Sequence, residues 1–144
     1  MTVLLDINVL IALLDRDHAH HDAATRFFQN IGPDGWATCP LTENGLLRIL
    51  GRPLASGGGG SPDEVRKHLS AWCDYPGHQF WPDDLSLTSF SSFPNLPQSQ
   101  HLTDLYLLAL AVKHGGRLAT FDSKIDPSLI PGGATAYYRI KVEG

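Results

Sequence analysis

The sequence predicts an α/β protein with a mainly parallel central sheet that helices cover on both faces. Short apolar runs of strand length alternate along the chain with longer segments whose apolar residues recur at helical spacing. Strands that alternate with helices usually pair in parallel, and parallel sheets occur almost only with both faces covered. Acidic residues stand at the junctions between these strands and the helices that follow.

The first fifty residues contain two strand–helix units. Two apolar runs have the length of buried strands, and the segments after them carry apolar faces at helical spacing. Pro40 fits the first turn of a helix, and the sequence from 32 to 35 is typical of a turn. The predicted elements are strands at Thr2–Leu5 and Trp36–Cys39 and helices at Asn8–Leu14, Ala19–Gln29 and Pro40–Leu50.

A glycine-rich stretch and a capped helix follow. The composition of Ala55–Ser61 predicts a flexible loop, and it lacks the Gly-Lys-Ser/Thr ending of a phosphate-binding loop. Ser61 is expected to cap the next helix, with Pro62 at its first position and Glu64 in its first turn. This helix is predicted to run to about Asp74.

The last elements include the strongest helix of the chain. Gln100–His114 is apolar nearly all round, which predicts a largely buried helix that Gly115 and Gly116 end. In the segment before it, Phe80 and Trp81 are expected to lie in the core. The predicted strands are one or two short pieces within Gly77–Leu87, a strand at Arg117–Phe121 and an edge strand at Tyr137–Val142.

The length and charge of the chain limit the class of protein. Its 144 residues suit one domain, 1–144, that has a real core. The net charge of -4 argues against tight non-specific binding of duplexes. This net charge is compatible with an enzyme that acts on nucleic acids, because cations bound at an acidic site restore positive charge locally.

The cysteines and the hydropathy predict the compartment. Cys39 and Cys73 lack metal-ligand spacing, and no signal segment opens the chain, so we expect free thiols in the cytoplasm. The apolar runs fall short of the roughly 18 residues that a membrane-spanning helix needs. We therefore expect no membrane association.

Four acidic residues occupy equivalent places along the chain. Asp6 and Asp122 follow predicted strands, while Glu43 and Asp104 lie in the first turns of predicted helices. In an open parallel sheet, ligands bind beyond the carboxyl ends of the strands. Helix capping explains any one of these acids, since carboxylates favour helix N-termini. It is a weaker explanation for all four, each flanked by apolar sequence.

A divalent cation would explain the four acids together. Several carboxylates in one pocket repel one another, and their pKa values rise unless a cation is present. Mg²⁺ takes oxygen ligands at about 2.1 Å and keeps several waters, so a few carboxylates are enough.

The four acids lie in three stretches of the chain, LLDINVLIALL, PLTENGLLRIL and LTDLYLLALAVKHGGRLATFD, between Thr2 and Asp122. In their order and spacing these stretches resemble the PIN-domain nucleases, and specifically the VapC-type toxins of toxin–antitoxin pairs. The resemblance implies a three-layer α/β/α sandwich and a metal-dependent endoribonuclease. The glycine-rich loop is not a feature of that family.

The resemblance also implies roles for individual residues. Asp6, Glu43, Asp104 and Asp122 fall on the family's acidic quartet, which holds one or two Mg²⁺ or Mn²⁺ ions. Glu43 would complete the metal site, or orient and deprotonate the attacking water. The residues expected to support the site are Asn8, Thr103 and Thr120.

The same resemblance implies partners. A cognate antitoxin is expected to cover helices near the site and to place a basic side chain among the carboxylates. The helices Asn8–Leu14, Ala19–Gln29 and Leu41–Leu50 offer a groove for an amphipathic helix. A homodimer is also expected. For Arg48, pairing with an acid and contact with an RNA phosphate stay open.

Other histidines and two other functions offer alternatives to this interpretation. His18, His20 and His21 could bind a transition metal, but we expect them on a solvated surface. His101 is near Asp104 and could touch a phosphate or a base, but we expect an exposed histidine at a helix start. A Mg²⁺-dependent phosphohydrolase of the Asp-x-Asp type would need an acid where Asn8 stands. A non-catalytic module that binds RNA or protein is disfavoured because all four acids are present.

Overall fold

The computed structural model describes residues 1–31, 35–53 and 60–142, and these ranges contain a five-stranded sheet. Its strands are β1 (Val3–Leu5), β2 (Trp36–Thr38), β3 (His78–Phe80), β4 (Arg117–Thr120) and β5 (Tyr137–Arg139). They lie in the order β3-β2-β1-β4-β5, and every neighbouring pair is parallel. The predicted parallel sheet and the edge position of the last strand are confirmed.

Helices cover both faces of the sheet, as predicted for an α/β/α sandwich. They are α1 (Ile7–Leu14), α2 (His21–Ile31), α3 (Pro40–Leu50), α4 (Pro62–Cys73), α5 (Leu102–Lys113) and the short α6 (Gly133–Ala136). One core lies between the sheet and α1 to α4, and the other lies between the sheet and α5 and α6.

Alternation along the strands builds these two cores. Successive side chains of a strand point to opposite faces, so Leu4 packs with α5 while Leu5 packs with α1 and α3. The expected burial of α5 is confirmed, because every residue from Leu105 to Ala111 is buried. Ser61 caps α4 as predicted, since its hydroxyl accepts a hydrogen bond from the Glu64 amide at 3.2 Å.

The structure differs from the prediction at helix α2 and at Phe80. Helix α2 begins at His21 rather than Ala19 and ends at Ile31, because the residues before His21 form turns. Trp81 is buried at 5% exposure, but Phe80 is 54% exposed, so the expectation that both lie in the core was wrong for Phe80. The predicted turn at 32–35 and the glycine-rich loop lie mostly outside the described residues.

The strand order has a switch point beside the centre of the sheet. The chain leaves β1 towards β2 on one side, whereas β4 and β5 lie on the other side. Open α/β sheets bind ligands in a crevice at such a point, outside the carboxyl ends of the strands. Asp6 follows β1 and Asp122 lies just beyond β4, so both lie at the switch point.

Both cysteines are free thiols. Cys39 is buried in the core, and Cys73 is half-buried. In the described ranges, every helix is too short or too polar to span a bilayer.

Candidate active site

Asp6 is a buried carboxylate with both oxygens hydrogen-bonded. It is 3% exposed. Its Oδ1 accepts a hydrogen bond from the Ile7 amide at 2.7 Å, which caps α1, and its Oδ2 accepts one from the Thr120 hydroxyl at 2.7 Å. Burial raises the pKa of Asp6 above its ordinary value, and the two hydrogen bonds oppose that rise. Asp6 is therefore a helix cap that also faces the crevice.

Thr120 joins Asp6 to its neighbours. Its hydroxyl donates its one proton to Asp6 and accepts hydrogen bonds from the Asn8 side-chain amide at 3.2 Å and from the Asp122 backbone amide at 3.0 Å. The Asn8 oxygen accepts a hydrogen bond from the Phe121 amide at 3.3 Å. The end of β4 is thus fastened to the start of α1.

Asp122 is held by its own loop. Its Oδ1 accepts a hydrogen bond from the Lys124 amide at 2.8 Å, and its carbonyl accepts one from the Tyr137 hydroxyl. The side chain is half-buried. These contacts fix the backbone at Asp122 and leave its second carboxylate oxygen available to the crevice.

Asp104 reaches the same place from the other helical layer. It lies in the first turn of α5 and is half-buried. Burial, the nearby charge of Asp6, and hydrogen bonding and repulsion from Asp122 raise the pKa of Asp104 to about 7. The structure therefore brings together three of the four predicted acids, and without a cation their negative charges oppose one another.

His101 joins this group, which the sequence analysis did not expect. One ring nitrogen of His101 and one oxygen each of Asp104 and Asp122 lie within 4.8 Å of one another. The side chain is half-buried rather than exposed, so the predicted exposed helix-start histidine was wrong. The sequence does contain a local indication of this contact. His101 precedes Asp104 by three residues, and side chains at that spacing lie on the same face of a helix.

Glu43 lies in a different set of contacts. Its Oε2 accepts a hydrogen bond from the Thr38 hydroxyl at 2.8 Å. The Nε2 atom of His78 lies 2.9 Å from the same hydroxyl and 3.5 Å from the Cys73 sulfur. The charge effects on Asp6 and Asp104 come from the aspartates and not from Glu43.

The proton positions around Glu43 follow from donor counting. Thr38 has one hydroxyl proton, which it gives to Glu43, so the His78 Nε2 must donate to Thr38. Burial lowers the pKa of His78, while the charge of Glu43 opposes that change. A neutral His78 with its proton on Nε2 therefore fixes the orientation of the Thr38 hydroxyl, and Thr38 in turn fixes the orientation of the Glu43 carboxylate. Nothing local in the sequence indicates a role for His78, because β3 is distant from Thr38 and Glu43 along the chain.

Two other predicted residues lie on the surface. Thr103 and Arg48 are exposed. Within the described residues, Thr103 forms no side-chain hydrogen bond and Arg48 forms no ion pair. Their predicted roles stay predictions.

The histidines between α1 and α2 are less exposed than expected. His18, His20 and His21 are all half-buried, so the solvated-surface interpretation was wrong for them. The His20 ring lies 5.0 Å from the Phe121 ring, and the His21 Nδ1 lies 2.7 Å from the Ala12 carbonyl oxygen. These contacts stabilise the turn before α2. Within the described residues, the group of side chains spaced to bind a metal ion is the one that contains Asp104.

The donor set in the crevice fits a small divalent cation. Carboxylate oxygens are the ligands that Mg²⁺ and Mn²⁺ prefer. The raised pKa values of Asp6 and Asp104 show that the carboxylates are destabilised as anions in the absence of positive charge. A cation among them removes that cost.

A protein-family model matches most of the chain. The model of the PIN domain family matches residues 3–126. The chain belongs to the PIN domain family.

The chain is also similar to curated relatives over nearly its whole length. It is 42% identical over 134 residues to Ribonuclease VapC39 of Mycobacterium tuberculosis, covering 92% of this chain and 96% of the relative. It is 37% identical over 137 residues to Ribonuclease VapC44 of the same organism, covering 92% and 94%.

A solved structure shares the fold. The crystal structure of VapBC2 from Rickettsia felis, bound to a DNA fragment from its promoter, aligns with a TM-score of 0.64. The alignment covers 98% of this chain and 100% of the other at 12% identity, which supports the fold alone.

Proposed function

We propose that the chain is a single PIN domain and a metal-dependent endoribonuclease, the toxin of a toxin–antitoxin pair. One observation carries the proposal: Asp6, Asp104 and Asp122 meet at the switch point of the sheet in a chain 42% identical to a ribonuclease. The names of the relatives support ribonuclease activity.

The proposed metal site uses the three aspartates. Asp6, Asp104 and Asp122 would hold one or two Mg²⁺ or Mn²⁺ ions, which neutralise charge on the phosphoryl oxygens and promote ionisation of the attacking water. Thr120 and Asn8 position the Asp6 carboxylate through the hydrogen bonds described above. Because Thr120 also accepts from the Asp122 amide, one hydroxyl sets the relative position of two ligands.

Glu43 has a separate role in this proposal. Its contacts lie with Thr38 and His78 and not with the aspartates, which favours the water-orienting role over direct binding of the cation. Thr38 donates to one carboxylate oxygen, so the other is available to accept a proton from the attacking water. Exposed Arg48, near the end of α3, is proposed to contact an RNA phosphate.

An antitoxin is the proposed protein partner. Three acids in one crevice attract an Arg or Lys side chain, which would block the site for RNA. Leu13, Leu14 and Trp72 form the apolar part of a cleft between α1, α2 and α4. Arg16, His21, Thr25 and His68 also line this cleft, so it suits an amphipathic helix. The structural neighbour, VapBC2 of Rickettsia felis, supports a partner of this kind. Homodimer formation is part of the same proposal.

RNA cleavage tests the proposed function. Purified protein free of any antitoxin is incubated with total cellular RNA in EDTA, Mg²⁺ or Mn²⁺, and the ends of the fragments are mapped. We expect discrete fragments with metal only. The Asp6→Asn variant should be inactive, and Asp63→Asn, which changes an exposed acid of α4, should cleave as the wild type does. Intact RNA with folded wild type in every metal would reject the function.

A further inference from the structure

The ring of His101 lies beside two carboxylates of the proposed metal site. One ring nitrogen and one oxygen each of Asp104 and Asp122 lie within 4.8 Å of one another. His101 ends the short 3-10 turn Ser99–His101, directly before α5. The three-residue spacing to Asp104 brings both side chains to one side of the chain.

The separations suit one shared cation. Ligand atoms about 2.1 Å from a six-coordinate ion lie about 3.0 Å apart when adjacent and about 4.2 Å apart when opposite. The three atoms lie within 4.8 Å of one another, so side-chain movements of less than about 1 Å would bring them into a single coordination sphere.

The fold makes no visible use of the His101 ring. Two other histidines have defined partners, because His21 lies 2.7 Å from the Ala12 carbonyl and His114 lies 3.0 Å from Asp84. The buried Nδ1 of His20 has no hydrogen-bond partner within the described residues. Within the part of the chain that the structure describes, neither ring nitrogen of His101 forms a hydrogen bond. A nitrogen lone pair is therefore available towards the two carboxylates.

We propose that His101 is a nitrogen ligand of the cation held by Asp104 and Asp122, and that it makes the site select Mn²⁺ over Mg²⁺. This inference rests on the proposed function and specifies its metal. Both ions prefer carboxylate oxygens, but Mn²⁺, as a transition metal, accepts an imidazole nitrogen more readily than Mg²⁺, which takes almost only oxygen ligands. A site with one imidazole and carboxylates therefore favours Mn²⁺ over Mg²⁺ more strongly than a site with oxygen ligands alone.

Electron paramagnetic resonance of bound Mn²⁺ tests the inference without any activity measurement. The full chain is loaded with one equivalent of Mn²⁺, and electron spin echo envelope modulation detects nitrogen bound directly to the ion. We expect nitrogen modulation in the wild type and its loss in His101→Ala. The matched control His68→Ala removes an exposed histidine of α4 and should keep the signal.

Calorimetry measures the selectivity in the same proteins. We expect His101→Ala to lose about tenfold in Mn²⁺ affinity, with little change for Mg²⁺. His101→Asp replaces nitrogen with oxygen and should bind Mg²⁺ more tightly than the wild type does. Equal thermal unfolding of the variants in EDTA shows that they are folded.

The outcomes separate the two proposals. Tight Mn²⁺ binding without nitrogen modulation, or modulation that persists in His101→Ala, overturns the role of His101 and leaves the ribonuclease proposal standing. A folded wild type that binds neither Mn²⁺ nor Mg²⁺ rejects the metal-dependent function itself.

Discussion

The Thr120 hydroxyl donates a 2.7 Å hydrogen bond to the buried Asp6 carboxylate, across 114 positions of sequence. The same oxygen accepts hydrogen bonds from Asn8 and from the Asp122 backbone. One side chain therefore ties α1, the end of β4 and two proposed ligands together.

Replacing that hydroxyl tests its importance. Thr120→Val keeps the shape of the side chain but removes the hydrogen bond to Oδ2 of the buried Asp6 carboxylate. We therefore expect a loss of about 1–3 kcal/mol in the free energy of unfolding. Metal affinity should fall about 10-fold or more, as for other residues that orient ligands. Urea unfolding and Mn²⁺ titration measure both. Thr120→Ser retains the hydroxyl and should stay close to the wild type; an equal loss in Thr120→Ser would assign the effect to packing.

The raised pKa of Asp104 predicts how stability depends on pH. Without metal, Asp104 keeps its proton up to a pKa of about 7 in the folded chain, against an ordinary value of 3.8. Between these values the folded state binds more protons than the unfolded state, so the contribution of Asp104 to stability falls as pH rises. Below pH 3.8 the contribution is fully present, and above about pH 7 it is lost.

Asp104→Asn removes this dependence. In EDTA at pH 8, we expect the variant to be more stable than the wild type by about 1 kcal/mol, a value reduced because Asp104 is only half-buried. At pH 4 the two proteins should be similar. Chemical unfolding across this range measures the difference, and a constant difference at every pH would contradict the raised pKa.

The separate position of Glu43 predicts a division between binding and chemistry. Glu43→Gln should lower the cleavage rate about 10²–10⁴-fold, the usual contribution of a general base. Mn²⁺ affinity should change less than about threefold, because Glu43 contacts Thr38 and not the aspartates. Single-turnover cleavage and calorimetry give the two values. A tenfold or greater loss of Mn²⁺ affinity would make Glu43 a ligand instead.

The two glycines after α5 are predicted to tolerate alanine differently. A Cβ at Gly116 would lie 2.4 Å from the Thr2 carbonyl oxygen and 2.8 Å from the Trp81 ring, so Gly116→Ala must move β1 or Trp81. We expect a cost of about 2–4 kcal/mol. Gly115 has a φ of +70° and no neighbour within 4 Å, so Gly115→Ala should cost about 1–2 kcal/mol. Equal costs in thermal unfolding would contradict this account of the turn.

Local patterns made much of the fold predictable. The strand before Asp6 and the helix around Leu107 are each determined by the apolar pattern of a short segment of sequence, and both were predicted. The parallel sheet followed from the alternation of such windows. Phe80 was misplaced because β3 is short and ends at that residue, so alternation alone does not decide which side chain turns inward.

The acids of the candidate site could be predicted where they follow strands or begin helices. Asp6, Asp104 and Asp122 were predicted from their places in strand–helix units and from the resemblance to PIN domains. The contact of His78 with Thr38 joins two strands, and nothing local in the sequence indicates it. His101 had a local signal in its spacing to Asp104, but helix-start histidines are commonly exposed, and that expectation prevailed.

The central claim is that the aspartates at the switch point hold a divalent cation. Anomalous diffraction from crystals of the full chain grown with Mn²⁺ tests it most directly. The account predicts an anomalous peak between the carboxylates of Asp6, Asp104 and Asp122. A fully occupied Mn²⁺ peak elsewhere on the chain, with none among these three carboxylates, would contradict it.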